Sequence, residues 1–441
     1  MVNAWKLILT TVILISIFKI SAYNVNSNNY YWDEAAYLDI AENIRENTRY
    51  ESSMSENFRA PLFPLILSVV TSKEMSHLLV VALSLISAFL AYLIGKEILS
   101  RTAGLTAALF LSINPLYNFW SYKLLTEPLA ICLIMLSIYQ YIKFEKNQTR
   151  SRYLYAAFFT AGIAMLARYT SVSLIAALAA VTLTRKGISQ KQHLTAWACM
   201  GIALVPLAIL GIYHYHNPAG MIIQNSAETS YPNMPLVSYA QNPLKNSGYF
   251  IPIFFIIALF TKARKKVSRI IWIYAITTAL MLASVAQKYE RFLVILLPAY
   301  VTISALGLMQ VLPKNGKLKA IMITAVAVAS LAVAYQNVQE LNADKHNTEI
   351  LLDATNFVRQ TGCDTIISNS TKHMGYFAKK QAIGYPATED EFLELSKERN
   401  ISCFAIDSFH GMPAYRKFIN DTYKLIYANS SGNKFAYVYS T

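Results

Sequence analysis

The stretch YLYAAFFTAGIAMLARYTSVSLIAALAAVTLT, residues 153–184, decides how this chain is threaded. As a single helix it would be ~48 Å long at 1.5 Å per residue, far more than the ~30 Å hydrocarbon core of a bilayer. It would also join Arg150 and Arg152 to Arg185 and Lys186 by one crossing. Lys and Arg gather on cytoplasmic loops, so one crossing between two basic loops breaks that pattern. Two short helices turning at Arg168-Tyr169-Thr170 satisfy it and bring Arg168 to the outer surface.

Apolar runs of similar kind extend on both sides. Candidate spans lie near 4–22, 77–95, 102–119, 124–142, 153–167, 170–184, 194–213, 248–261, 269–286, 292–311 and 318–336, about eleven by the length a bilayer requires. Basic clusters fall at every second connection: Lys96 and Arg101, Lys143 to Arg152, Arg185 to Lys191, Lys262 to Arg269, and Lys314 to Lys319. These mark the cytoplasmic side. The 23–76 loop, the 214–247 loop and the tail after 337 are then outside. The first run has no small-residue cleavage pattern after it and reads as a retained helix.

Composition agrees. Of the 441 residues, 55% are hydrophobic and only 15% charged, against roughly 25% charged in a soluble domain. The net charge of +14 sits in short loops between spans, so it reads as topology and not as a nucleic-acid surface. The four cysteines have no metal-ligand spacing. Cys132 and Cys199 fall in apolar runs as packing residues, while Cys363 and Cys403 lie in the polar tail, where an oxidising compartment would let them pair.

Beyond about residue 340 the character changes. Short apolar stretches (DTIISN, ISCFAID, TYKLIYA, FAYVYS) alternate with helix-like ones such as TEILLDATNFVRQ. Thr388 followed by Glu391 has the form of a capping box. This alternation predicts a small extracytoplasmic α/β domain over 339–441, after a transmembrane domain over 1–338.

Charged groups at the outer boundary carry the chemistry. NYYWDEAAYLDIAENI, residues 29–44, places Asp33 and Glu34 just after the first span. Asp33 reads either as a helix N-cap with Glu34 in the first turn or as a general base for an acceptor arriving from outside. The spacing of Tyr37, Ile40, Ala41 and Ile44 predicts a helix lying in the interface plane, with Asp39 and Glu42 on its other side. Arg59 precedes an apolar segment, as a snorkelling anchor or a phosphate clamp. Glu127 lies inside the outer end of an apolar helix, where a carboxylate is costly and signals a site. Lys123, four residues earlier, is its candidate partner. Lys288, Glu290 and Arg291 stand at the outer end of a late helix.

DEAAY at 33–37, RAPLFPLIL at 59–67, TEP at 126–128, ARYT at 167–170 and YERFLVILLPAY at 289–300 occur in this order. The pattern resembles the C-type (GT-C) glycosyltransferases over roughly residues 1–312. The nearest branch is family 39, with the dolichyl-phosphate-mannose protein mannosyltransferases and the aminoarabinose transferases that act on lipid A. The lipid A branch carries an Arg within the first motif, where this chain has Ala35 and Ala36.

The resemblance implies a polytopic α-helical membrane enzyme of the cell membrane. It would be a hexosyl- or pentosyltransferase moving a sugar, with inversion, from a polyprenyl-phosphate donor to a protein, lipid or polysaccharide acceptor outside. It matches Asp33 to the catalytic base, Glu34 to its acidic neighbour and Glu127 to a second catalytic acid. Arg59, Arg168, Lys288, Tyr289 and Arg291 would hold the donor phosphate. No cofactor is required by this scheme, although the acids could take a divalent metal. Membrane lipids and the acceptor are the other partners, and nucleic acid is not one. The alternative is a transporter or lipid-sugar flippase that makes no bond. Against it, the charges sit at the outer face and not at the midplane, and no internal repeat is present.

Overall fold

The computed structural model describes residues 4–22, 32–51, 59–70, 72–227, 248–262, 267–284, 290–313, 315–409 and 411–441. Its helices are α1 (Ala4–Ala22), α2 (Trp32–Asn47), α3 (Leu62–Val69), α4 (Lys73–Ile98), α5 (Arg101–Ile113), α6 (Pro115–Trp120), α7 (Thr126–Lys146), α8 (Arg152–Ala167) and α9 (Val172–Leu183). They continue as α10 (Gln190–Tyr215), α11 (Gly220–Ala227), α12 (Ile251–Phe260), α13 (Arg269–Ser284), α14 (Leu297–Val311), α15 (Gly316–Gln360), α16 (Thr371–Ala378), α17 (Glu389–Glu398) and α18 (Arg416–Thr422). The strands are β1 (Thr365–Ser368), β2 (Gln381–Ile383), β3 (Cys403–Asp407), β4 (Lys424–Ser431) and β5 (Lys434–Ser440).

Five helices among the described residues are long and apolar enough to cross a membrane: Glu74–Ile98, Thr126–Lys146, Gln190–Tyr215, Glu290–Val311 and Ala320–Gln339. Over the described residues, six further apolar helical segments run for 10–17 residues. Two of the shorter runs have local causes. α5 stops at Asn114 because Pro115 cannot continue it. The Asn114 side chain instead caps α6, accepting from the Tyr117 N–H at 3.0 Å. The carbonyls freed by the break are taken up, Ser112 O by Asn118 Nδ2 at 2.8 Å and Ile113 O by Asn337 Nδ2 at 3.0 Å. The run at 153–184 breaks as its charge pattern requires. α8 ends at Arg168, which is extended (φ −159°, ψ 123°), and a 3₁₀ turn at Tyr169–Ser171 leads into α9.

Contacts divide the chain into two compact units. The first holds residues 1–24, 58–63 and 74–338, and the second 25–57, 64–73 and 339–441. The first unit is a helical bundle whose members meet at small residues. A Cβ on Gly104 would run into the Tyr92 carbonyl oxygen, and one on Gly307 into that of Phe254, so α5 meets α4, and α14 meets α12, at backbone distance. At the basic loops the helix ends are tied by ion pairs, Lys143 and Lys146 to Glu97 at 2.8 and 2.9 Å and Arg185 to Glu145 at 2.9 Å.

The second unit is built on a five-stranded sheet in the order β2-β1-β3-β5-β4. β1 pairs in parallel with β2 and β3, and β5 runs antiparallel to β3 and β4. Strand alternation sends Ile366, Ala405 and Val438 to one face, against Leu351, Ala354 and Val358 of α15 and Met374 of α16. Ile367, Phe404, Ile406 and Tyr439 face the other way, against Phe392 of α17 and Ile419 of α18. Cys363 and Cys403 form a disulfide between the chain leading to β1 and the start of β3. Asn369 bridges the ends of β1 and β3, donating through Nδ2 to Asp407 O (2.8 Å) and accepting at Oδ1 from the Asp407 N–H (3.0 Å). α2 belongs to this unit and packs on α16, with Lys379 Nζ 2.6 Å from Glu42 Oε2.

Candidate active site

Three residues far apart in sequence meet inside the helical unit. Glu127 lies in the first turn of α7. Arg168 occupies the break between α8 and α9, and Arg291 the 3₁₀ turn Glu290–Leu296 that leads into α14. The break decides the position of Arg168: its extended backbone releases the side chain from the helix surface. One Glu127 oxygen takes both guanidiniums, Oε1 lying 2.6 Å from Arg168 Nη1 and 3.3 Å from Arg291 Nε. Arg168 also donates to Thr126 Oγ1 (3.1 Å, through Nη1) and to Thr170 Oγ1 (3.0 Å, through Nε).

Aromatic rings hold the two guanidiniums from the side. Arg168 stacks over Phe292 at 5.4 Å, and Arg291 lies 5.9 Å from the ring centres of both Trp120 and Phe292. Glu127 is 1% exposed and Arg168 7%. Glu127 and Arg168 are therefore held out of water, where charge-assisted hydrogen bonds strengthen, and Arg291 is half-buried beside them. The second oxygen, Glu127 Oε2, is buried and has no hydrogen-bond partner among the described residues.

Glu127, Arg168 and Arg291 are thus brought together. Lys123 is not the partner of Glu127: α7 begins at Thr126, so no helical turn joins the two, and the Lys123 ammonium lies over the Phe119 ring at 5.2 Å. Arg59 is half-buried just before α3 in the same unit. Lys288 and Tyr289 lie outside the described residues. Asp33 and Glu34 are in the second unit, in the first turn of α2, which starts at Trp32, so Asp33 is inside the helix and not its cap. Both are buried, at 8% and 0% exposure. Asp39 is buried as well, and residues 33–37 and 39–41 are buried without interruption. The first half of α2 thus buries polar and apolar side chains alike, while residues 45–47 are exposed. Among the described residues no three His, Cys, Asp or Glu side chains gather as a metal site.

Four participants had no sequence signal of their own. Thr126 and Thr170 are ordinary residues beside charged ones, and Trp120 and Phe292 are aromatics within or beside apolar runs.

Residues 60–213 match the family model of the dolichyl-phosphate-mannose-protein mannosyltransferases. No curated protein sequence matches the chain. Among solved structures it is similar to ArnT from Cupriavidus metallidurans bound to undecaprenyl phosphate, with a TM-score of 0.73, 11% identity, and coverage of 99% of this chain and 98% of that one. It is also similar to AglB, the oligosaccharyltransferase of Archaeoglobus fulgidus, in complex with an inhibitory peptide and a dolichol-phosphate. There the TM-score is 0.59, the identity 12% and the coverage 98% and 74%. The mycobacterial arabinofuranosyltransferase AftD matches with a TM-score of 0.62 and 9% identity, over 98% of this chain and 39% of that one. This chain is a multi-pass helical membrane protein with the fold of the GT-C glycosyltransferases.

Proposed function

We propose that the protein transfers a sugar from a polyprenyl-phosphate donor to an acceptor on the extracytoplasmic face of the cell membrane, with inversion. The observation that carries this reading is the buried convergence of Arg168 and Arg291 on Glu127. Guanidiniums held by stacking and by one carboxylate present a planar fork, and phosphate is an anion that such a fork suits. Polyprenyl phosphates bound in the ArnT and AglB structures favour the same ligand class here.

The steps balance as a single displacement. An acceptor hydroxyl attacks the anomeric carbon, Asp33 takes its proton, and the bond from that carbon to the phosphate oxygen breaks. The electron pair leaves on the phosphate. Arg59, Arg168 and Arg291, with Lys288 and Tyr289, stabilise the charge that develops there. Glu34 supports Asp33, and Glu127 sets the two guanidiniums. One displacement inverts the anomeric centre without a covalent sugar–enzyme intermediate, and these steps do not require a metal. The Cys363–Cys403 disulfide favours an oxidising compartment for the second unit, in line with the basic loops on the opposite side. Nothing specific favours a transporter.

The test is transfer in membranes expressing the protein at matched levels. Radiolabelled polyprenyl-phosphate sugars are supplied with native acceptors, and wild type is compared with Asp33→Asn. Loss of the base lowers transfer about 10²–10⁴-fold. Equal transfer by both proteins rejects Asp33 as the base, and no transfer from any donor rejects the transferase reading.

A further inference from the structure

The two oxygens of Glu127 have unequal surroundings. Oε1 receives both guanidiniums, while Oε2 is buried with no hydrogen-bond partner among the described residues. A buried carboxylate oxygen without a donor is unfavourable, and such an orphan in a native fold calls for the group that completes it. Its geometry limits that group. Arg168 is engaged by Thr126, Thr170 and Oε1 and lies over Phe292. A ligand bound at this site would supply that donor, beside an anion on the guanidiniums.

We infer that Glu127 Oε2 reads the donor sugar by accepting a hydrogen bond from its 2-hydroxyl, and so distinguishes loaded carrier from spent carrier. This rests on the transferase reading and adds the substrate feature that the site recognises. In a sugar 1-phosphate the 2-hydroxyl is the free hydroxyl nearest the phosphate, one carbon from the anomeric centre. A ligand with its phosphate on the arginines carries that O–H to the neighbouring carboxylate oxygen. The spent carrier has no such hydrogen to give. It also bears a charge of about −1.5 to −2 at pH 7, against −1 for the loaded diester. Glu127 therefore gains a contact with the donor and repels the product, and the same oxygen that favours loading promotes release.

The test uses the full-length protein in lipid nanodiscs and competition binding, with three probes: undecaprenyl phosphate, its mannosyl, glucosyl and 4-aminoarabinosyl derivatives, and the 2-deoxy forms of these. Wild type should bind at least one sugar-bearing lipid about tenfold or more tightly than either its 2-deoxy form or the bare lipid, as for a hydrogen bond to a charged acceptor. In Glu127→Gln that preference should collapse toward unity, read as a ratio of affinities so that any change common to all the lipids cancels. The 2-deoxy comparison is made on wild type and so does not depend on the variant folding. Equal wild-type affinity for a sugar and its 2-deoxy form overturns the inference, as does a preference that persists in Glu127→Gln. Failure of every lipid to bind would instead remove the transferase reading beneath it.

Discussion

Arg168 shows how much one residue can reveal before its partners are known. A guanidinium between two apolar helices of opposite direction reads as an outer-surface group, and Glu127 within an apolar run reads as a site residue. Their pairing was not legible, because the two stand 41 positions apart and tertiary packing alone joins them. The threonines and aromatic rings around them were illegible for the same reason: their role comes from where the guanidiniums end up. Arg168 makes contacts that an ammonium cannot copy, with separate nitrogens on Glu127 and Thr126 and on Thr170. Arg168→Ala should lower transfer about 10²–10³-fold, the scale of losing one donor to developing charge. Arg168→Lys keeps the charge but not the fork and should recover only part of it. Equal activity of the Lys and wild-type proteins in initial-rate measurements would show that charge alone is used there.

Among the elements, breaks are as informative as helices. The stop at Asn114-Pro115 and the extended Arg168 shorten two apolar runs, and both were written in local chemistry: a proline, and an arginine with basic loops on either side. The tail was legible where strands alternate. DTIISN and ISCFAID contain β1 and β3, and TYKLIYA and FAYVYS overlap β4 and β5. The three-residue β2 was not, since QAI is too short to show a period. Thr388 accepts from the Glu391 N–H at 3.3 Å, as its spacing suggested. What no local pattern reports is closeness between helices. Gly307→Ala would place a methyl into the Phe254 carbonyl and should cost about 1–3 kcal/mol, as overpacking does. Gly201→Ala, on α10 with nothing within 4 Å, should be neutral or gain up to about 1 kcal/mol from helix propensity. Thermal unfolding in detergent separates the two, and equal midpoints would contradict the close approach.

At the scale of the whole molecule, the acid pair groups with the polar tail in contacts although it lies near the start of the chain. Glu42 and Lys379 are 337 positions apart, and no periodicity or composition records such a meeting. The disulfide is the covalent feature of this second unit. In the chain-entropy account, closing a loop of 40 residues contributes about 4 kcal/mol, and measured losses are typically about 2–4. Replacing Cys363 and Cys403 together by Ser should therefore raise protease cleavage within 339–441 while cleavage in the helical bundle is unchanged. A digest that is the same for both proteins would mean that the bond contributes little.

The bridge that Asn369 makes to Asp407 has a consequence for how this chain is itself modified. Asn369-Ser370-Thr371 is an acceptor sequence for N-linked glycans, yet both ends of its amide are engaged between two parallel strands. Asn400, in the exposed turn before β3, heads a second such sequence and stands in solvent. Folding therefore protects the first and leaves the second open. A glycan found on Asn369 would date its own attachment to a time before the sheet closed, making that one asparagine a record of whether the tail folded before or after it met a glycosylating enzyme.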